Sequence, residues 1–275
     1  MTKNLQKTAD FYRKKKGVLD PQQFERLVDL QFYAPAPKLA PFIAHYFVAR
    51  WHVPGAATYT AADVLSQPAV HMLFTNESSD IMGVMTTKRT LELKGNGVYA
   101  GVRFKPGGFY PFWKKSMADI AEKVIPVTDL LPQADATFTR TLLTQTNANI
   151  AEHIEAQLLA IAPAPDEKVQ LIGDIITAIE TQPSVHTTQS IAKSFALGER
   201  SLQHLFTTYV GVGVKWVTMR TRFLDAIRHA HTPDKPNWTT IAAELGYSTQ
   251  SHFVNDFKKV IGMSPSQYSR TIQTS

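Results

Sequence analysis

Arg200, Gln203, His204 and Thr207 recur at i, i+3, i+4 and i+7, a spacing that puts side chains on one face of an α-helix. Further along, Gln250, Ser251, Asn255 and Lys258 make a second polar face of the same kind. Arginine offers paired donors that match guanine O6 and N7, and glutamine and asparagine match adenine N6 and N7. Such residues can read base edges, each good pair contributing roughly 1–3 kcal/mol of discrimination. Arg200, Gln203, His204, Gln250, Ser251 and Asn255 are therefore candidate base readers. Lys215, Arg220, Lys258 and Lys259 carry charge without a directional code and suit phosphate contacts, which position a protein on a duplex without specifying sequence.

The apolar residues around these faces say what must hold them. Ile191-Ala192 and Phe195 share one helical face, Leu197-Gly198 interrupts it, and Leu202, Leu205, Phe206 and Tyr209 resume at helical spacing. The device repeats with Ile241-Ala242 and Leu245, a break at Gly246-Tyr247-Ser248, then Phe253, Phe257 and Val260. Each copy predicts a helix-turn-helix, over 188–210 and 238–260. The apolar side of each second helix would pack on its first helix and leave the polar side free for a major groove roughly 12 Å wide. Between the copies Trp216, Met219, Phe223, Ala226 and Ile227 form one stripe, a linker helix ended by Thr232-Pro233-Asp234-Lys235-Pro236. A rigid linker matters because two readers on one face of DNA must sit one turn, roughly 34 Å, apart.

The region from Thr188 to Arg270 resembles the DNA-binding domain of AraC/XylS-family transcription regulators. The resemblance is carried by Ser201-Leu202-Gln203-His204-Leu205-Phe206, Val210-Gly211-Val212 with Lys215-Trp216-Val217, and Arg222 with Ala226. It continues through Glu244-Leu245-Gly246-Tyr247, His252-Phe253, Phe257-Lys258-Lys259, and Gly262-Met263-Ser264-Pro265 with Tyr268. It implies a sequence-specific DNA-binding regulator whose two recognition helices enter successive major grooves. The chain departs from the family at Ala196, where relatives have Gly, at Gly198, where a capping Ser is usual, and at Val214 in place of Pro. His204 and Asn255 stand where relatives often carry Arg, which implies a different target.

Gln31 to Val127 breaks into short runs of aromatic and β-branched residues separated by Gly, Pro and Asn, as strands do. The candidate strands are Ala44–Val53, Ala69–Thr75, Ile81–Thr86, Thr90–Leu93 and Val98–Phe104, with a hairpin turn at Gly95-Asn96-Gly97. Gly107-Gly108 then leads into a short helix with Phe109, Phe112 and Trp113 on its core stripe. Beyond Asp129, Phe138, Leu142, Leu143, Ile150, Ile154, Leu158 and Leu159 follow helical spacing. After the Ala162-Pro163-Ala164-Pro165 joint, Val169, Ile172, Ile175, Ile176 and Ile179 open another amphipathic helix. The expected fold is α+β, a mainly β half (cupin-like barrel or sandwich) with a helical connector, followed by an all-α domain. Its expected parts are a basic flexible tail over 1–20, a β-rich sensor or oligomerisation domain over 21–131, a connector over 132–164 and the DNA-binding domain over 165–275.

The β half also resembles an N-terminal domain found on some of these regulators, through Ala36-Pro37-Lys38-Leu39-Ala40-Pro41-Phe42-Ile43, Gly101-Val102-Arg103-Phe104-Lys105-Pro106-Gly107-Gly108-Phe109 and Pro126-Val127-Thr128-Asp129. The resemblance implies a cupin-like sensor or oligomerisation platform. Two readings stay open: a cavity lined by Tyr46, Trp51, Phe74 and Tyr99 with Arg103 as an anion clamp, or a filled core with Arg103 in a structural ion pair.

Composition bounds the alternatives. With 275 residues there is room for two domains, and without cysteine there are no disulfides, thiolate metal sites or thiol nucleophiles. The net charge is +6, most of it in Lys3, Lys7, Arg13, Lys14, Lys15 and Lys16. No stretch is apolar enough for a membrane span and the N-terminus lacks a secretory core, so a soluble cytoplasmic chain without membrane contact is expected. His45, His52 and His71 raise the rival of a cupin-like metal enzyme, but their spacing forms no compact ligand motif and no carboxylate cluster accompanies them. An enzyme is therefore not expected, nor a cofactor. A helical protein-interaction module is the second rival, opposed by the polar outer faces. Candidate partners are double-stranded DNA, a small-molecule effector in the β half, RNA polymerase and a second copy of the chain.

Overall fold

Two long strands carry the N-terminal half because their side chains alternate between two buried faces. In the computed structural model, which describes residues 26–63, 67–87, 89–182, 185, 187–230 and 237–273, these are β2 (Ile43–Asp63) and β5 (Arg89–Phe104). With β1 (Val28–Tyr33), β3 (His71–Thr75), β4 (Ser79–Met82) and β6 (Val124–Pro126) they form one antiparallel sheet in the order β1-β2-β5-β3-β4-β6. The expected α+β fold with a mainly β first half is what is found, its described strands forming one sheet with β1 and β6 at the two ends of the order. The basic N-terminal tail lies outside the described residues, as does the Pro-rich end of the linker.

The hairpin expected at Gly95-Asn96-Gly97 is not a turn. β5 continues through it, paired with β2 from Ile43↔Phe104 to Asp63↔Arg89, with register shifts on β2 between Ile43 and His45 and between Val53 and Thr58. The glycines serve packing. Trp51 pairs with Gly97 and Phe47 with Gly101, and a Cβ on either glycine would fall within 2.0 Å of the Trp51 ring or 2.7 Å of Phe47 Cζ. An aromatic laid over a cross-strand glycine covers backbone that would otherwise be bare.

On one face of the sheet Tyr46, Val48, Met72, Phe74, Ala100 and Val102 are buried under α2 (Ala136–Leu143) and α3 (Asn147–Ala160). α2 starts at Asp135, whose carboxylate accepts from Thr137 and Phe138 N–H, and α3 starts at Thr146, which caps Asn149 N–H. The break between them is tied to the sheet by Arg50, whose Nε donates to Asn147 Oδ1 at 2.6 Å and whose guanidinium donates to the Gln145 carbonyl at 2.7 Å. The expected short helix is α1 (Tyr110–Trp113), with Phe109 and Phe112 buried.

Among the described residues seven further helices follow: α4 (Glu167–Thr181), α5 (Thr188–Ser194), α6 (Glu199–Tyr209), α7 (Val214–Ala230), α8 (Trp238–Glu244), α9 (Gln250–Ile261) and α10 (Pro265–Gln273). The hydrophobic clusters do not divide at the Pro-Ala-Pro joint. One runs continuously from Leu39 to Val217, taking in α4, α5 and α6. A second, from Phe223 to Tyr268, belongs to α8, α9, α10 and the later part of α7. α7 is the element shared by both.

Candidate nucleic-acid interface

The two helix-turn-helix units are built by the same local chemistry. Thr187 caps α5 in a reciprocal box with Ser190, and Asn237 caps α8 through Thr239 and Thr240 N–H. Each first helix then closes on a residue in the left-handed region, Ala196 at φ 52° and Gly246 at φ 76°. In both turns the next residue donates back along the helix, Leu197 N–H to Ala192 C=O at 2.8 Å and Tyr247 N–H to Ala242 C=O at 2.9 Å. The second helices differ at their start: α9 is capped by Thr249, whereas Gly198 leaves α6 without a side-chain cap.

Leu202, Phe206 and Tyr209 turn α6 inward, and Phe253, Phe257, Val260 and Ile261 do so for α9. The opposite faces are open. Arg200, Gln203, His204 and Thr207 are all exposed along α6, and Gln250, Ser251, Asn255, Lys258 and Lys259 along α9. His252, also exposed in the first turn of α9, was not among the expected readers; its place next to Ser251 on an uncovered turn is the signal that could have found it. Lys215 is exposed in the first turn of α7.

Arg220 does not join this surface. It is 3% exposed on the inner side of α7, where it lines a cavity with Arg103 and Glu180. A side chain held there cannot reach a phosphate on the reading side, so its expected role is corrected. Arg222, half-buried on α7, places its guanidinium 3.8 Å from the position a Gly246 Cβ would take. Tyr247 beside that turn donates to Asp256 at 3.4 Å, and burial followed by the Asp256 charge pushes its phenol up to about 12.

The five residues expected to line one ligand pocket are divided by the sheet. Tyr46 and Phe74 fall on the face packed against α2 and α3, whereas Trp51, Tyr99 and Arg103 fall on the other, by the register Tyr46↔Val102, Ala49↔Tyr99 and His45↔Arg103. Tyr99 stands against Phe47 at 5.7 Å and Trp51 at 6.0 Å. Among the described residues only Arg103 of the five borders the cavity at Arg220.

The three histidines do not converge. His45 and His71 flank Arg103 across adjacent strands, whereas His52 Nδ1 lies 2.5 Å from Asn96 Oδ1 near the bulge. Among the described residues no group of His, Asp or Glu is arranged to hold a metal ion, and no helix is long and apolar enough to cross a membrane.

A family model described as a helix-turn-helix domain matches residues 191–271, and a model described as a domain of unknown function, DUF6597, matches residues 31–126. No curated protein matches the chain. Among solved structures, the C-terminal domain of AraT, a response regulator from Geobacillus stearothermophilus, is 26% identical. The match covers 37% of this chain and 84% of that one, with a TM-score of 0.34. ToxT from Vibrio cholerae O395 is 10% identical, covering 91% of this chain and 100% of its own, with a TM-score of 0.39. Likeness at these scores carries no residue roles across. Residues 191–271 are a helix-turn-helix domain, the kind of domain that supports a DNA-binding transcription regulator.

Proposed function

We propose that the chain is a sequence-specific DNA-binding transcription regulator that lays α6 and α9 in successive major grooves on one face of a duplex, under the control of its β half. The observation that carries this reading is the pair of exposed polar helix faces on either side of α7. At 17 residues α7 spans roughly 25 Å, close to the separation that successive grooves demand once the two units at its ends are added. Arg200, Gln203, His204, Gln250, Ser251 and Asn255 read bases in this proposal, and Lys215, Lys258 and Lys259 hold phosphates. The β half modulates them through a small effector, through pairing of two copies, or both.

Selection from a randomised DNA library with the full chain tests it. The expected product is a site with two conserved subsites about 10 base pairs apart. Arg200→Ala should relax one subsite and Asn255→Ala the other. Enrichment of no sequence, or an unchanged site in both variants, would overturn the proposal and favour a protein-interaction role.

A further inference from the structure

The exposed row Arg200, His204 and Thr207 on α6 leads, one turn on, to Gly211, which lies just past the helix end in the left-handed region at φ 93°. A loop of the β half meets the chain there. The Met117 carbonyl comes within 2.8 Å of where a Gly211 Cβ would stand, and Tyr110, at the start of the same segment, stacks on Tyr209. Residues 110–119 are thus fixed to the C-terminal end of α6, about 10 Å along the helix direction from His204. This segment carries Lys114 and Lys115, both exposed. Lys114 caps α1 at φ 58°, a conformation that glycine adopts more readily than lysine. Lys115 holds its ammonium 4.9 Å over the Trp113 ring, which is stacked in turn on the buried Phe109. Neither lysine has a carboxylate partner among the described residues. Of the carboxylates nearby, Asp166 accepts from the Tyr209 hydroxyl at 3.1 Å and Glu122 from Thr86 N–H at 2.6 Å. Asp119 is exposed on the turn Met117–Asp119, outnumbered by the two lysines. Lys215, exposed four residues beyond Gly211, adds a cation from the helical half.

We propose that Lys114 and Lys115 bind backbone phosphates of the duplex beside the bases read by α6, so that the β half itself touches DNA; the inference rests on the reading of α6 as a recognition helix. A helix lying in a groove roughly 12 Å wide has a wall of phosphates on either side. Lysine suits them as a point charge on a long stem, and such contacts position a protein without reading sequence. An acidic protein surface would also attract two lysines. Their place at the end of a row of base readers, with Lys215 close by, favours the duplex. Because the Tyr110–Tyr209 stack and the Met117–Gly211 contact fix the loop to α6, the phosphate contacts give the β half a direct hold on the first reader.

Binding of the full chain to its selected DNA site across a salt series tests the contact. The double variant Lys114→Gln/Lys115→Gln should bind about tenfold more weakly, with the slope of log affinity against log salt reduced by about 2 and the selected sequence unchanged. Lys114→Arg/Lys115→Arg keeps both charges and should restore affinity and slope. Neutral methylphosphonates, placed singly at the phosphates flanking the subsite that Arg200→Ala relaxes, should weaken the unsubstituted chain at one or two positions and have no further effect there in the Gln pair. Equal slopes in the Gln pair and the unsubstituted chain, or methylphosphonate effects that are the same in both, would overturn the contact while leaving sequence selection in place. Transcription lowered in the Gln pair at unchanged DNA affinity would likewise overturn it and give the lysines to a protein partner. A slope that depends on the two lysines, on duplexes of any sequence and with no site selected, would keep the contact and remove the sequence-specific reading. Failure of the unsubstituted chain to bind any duplex would remove both.

Discussion

The ring of Tyr110 lies stacked on the ring of Tyr209, centroids 3.9 Å apart and planes 26° from parallel. Tyr110 opens α1 in the β half, and Tyr209 is the last residue of α6. Tyr209 also donates its hydroxyl to Asp166 at 3.1 Å and carries the Lys168 ammonium 5.6 Å above its ring. α6 is therefore gripped by the β half and by the start of α4 together. Tyr110→Ala should lower stability by about 1–3 kcal/mol. Tyr209→Phe, which keeps the stack and loses only the hydrogen bond, should lower it by about 1 kcal/mol. Urea unfolding of the full chain measures both, and a larger loss in Tyr209→Phe than in Tyr110→Ala would place the grip in the hydroxyl rather than the rings.

The two turns make a matched pair of tests. Ala196 adopts φ 52° where its counterpart Gly246 adopts φ 76°. A Cβ in the left-handed region is strained, so Ala196→Gly should relieve strain and stabilise the first unit by about 0.5–1 kcal/mol. Gly246→Ala should destabilise the second by about 1 kcal/mol through the same backbone conformation. Opposite signs in thermal unfolding are the expected result; two changes of the same sign would mean that the turns are not equivalent.

How much of this was readable beforehand depended on whether the controlling contacts were local. The helix-turn-helix units were, because Leu202 and Phe206, or Phe253 and Phe257, follow helical spacing and their polar faces follow from the same period. The division of the expected pocket was partly readable too: Tyr46 and Trp51 lie five residues apart on one strand and must face opposite ways. That Tyr99 and Arg103 join Trp51 needed the register, a long-range property. Gly95-Asn96-Gly97 carries a strong local turn signal, and pairing along the whole of β2 overrides it. Arg220 misleads for the converse reason. Thr218, Arg220 and Thr221 are polar residues at buried positions of α7, and only the packing of α4 and β5 around them shows it.

His45 gives the fold a pH dependence. It is 3% exposed, edge-on to Phe32 at 5.0 Å and opposite Arg103, with His71 on the strand beyond. Burial first, and then the His71 charge, hold its imidazole down to about 3 from the ordinary 6.5. The unfolded chain takes up a proton near the ordinary value and the folded chain does not. His45 therefore favours the fold fully above that value, and the contribution is lost as pH falls through the window toward 3. The loss should approach about 1.4 kcal/mol per pH unit. His45→Gln should flatten that part of the profile in urea unfolding between neutral pH and pH ~5; a profile as steep as that of the unsubstituted chain would assign the slope to other groups.

Arg220 and Lys258 should separate cleanly in binding experiments. Lys258 is exposed on the last turns of α9, where a released counterion accompanies each phosphate it neutralises. Lys258→Ala should weaken binding to all DNA sequences alike and reduce the slope of log affinity against log salt by about 1. Arg220 faces the Arg103 cavity. Arg220→Ala should leave the salt slope where it is and act on stability instead, because it removes a buried side chain from the wall it shares with Arg103 and Glu180. Measured across a salt series with the full chain, a slope reduced by Arg220→Ala as much as by Lys258→Ala would mean that α7 turns its inner face to DNA when it binds.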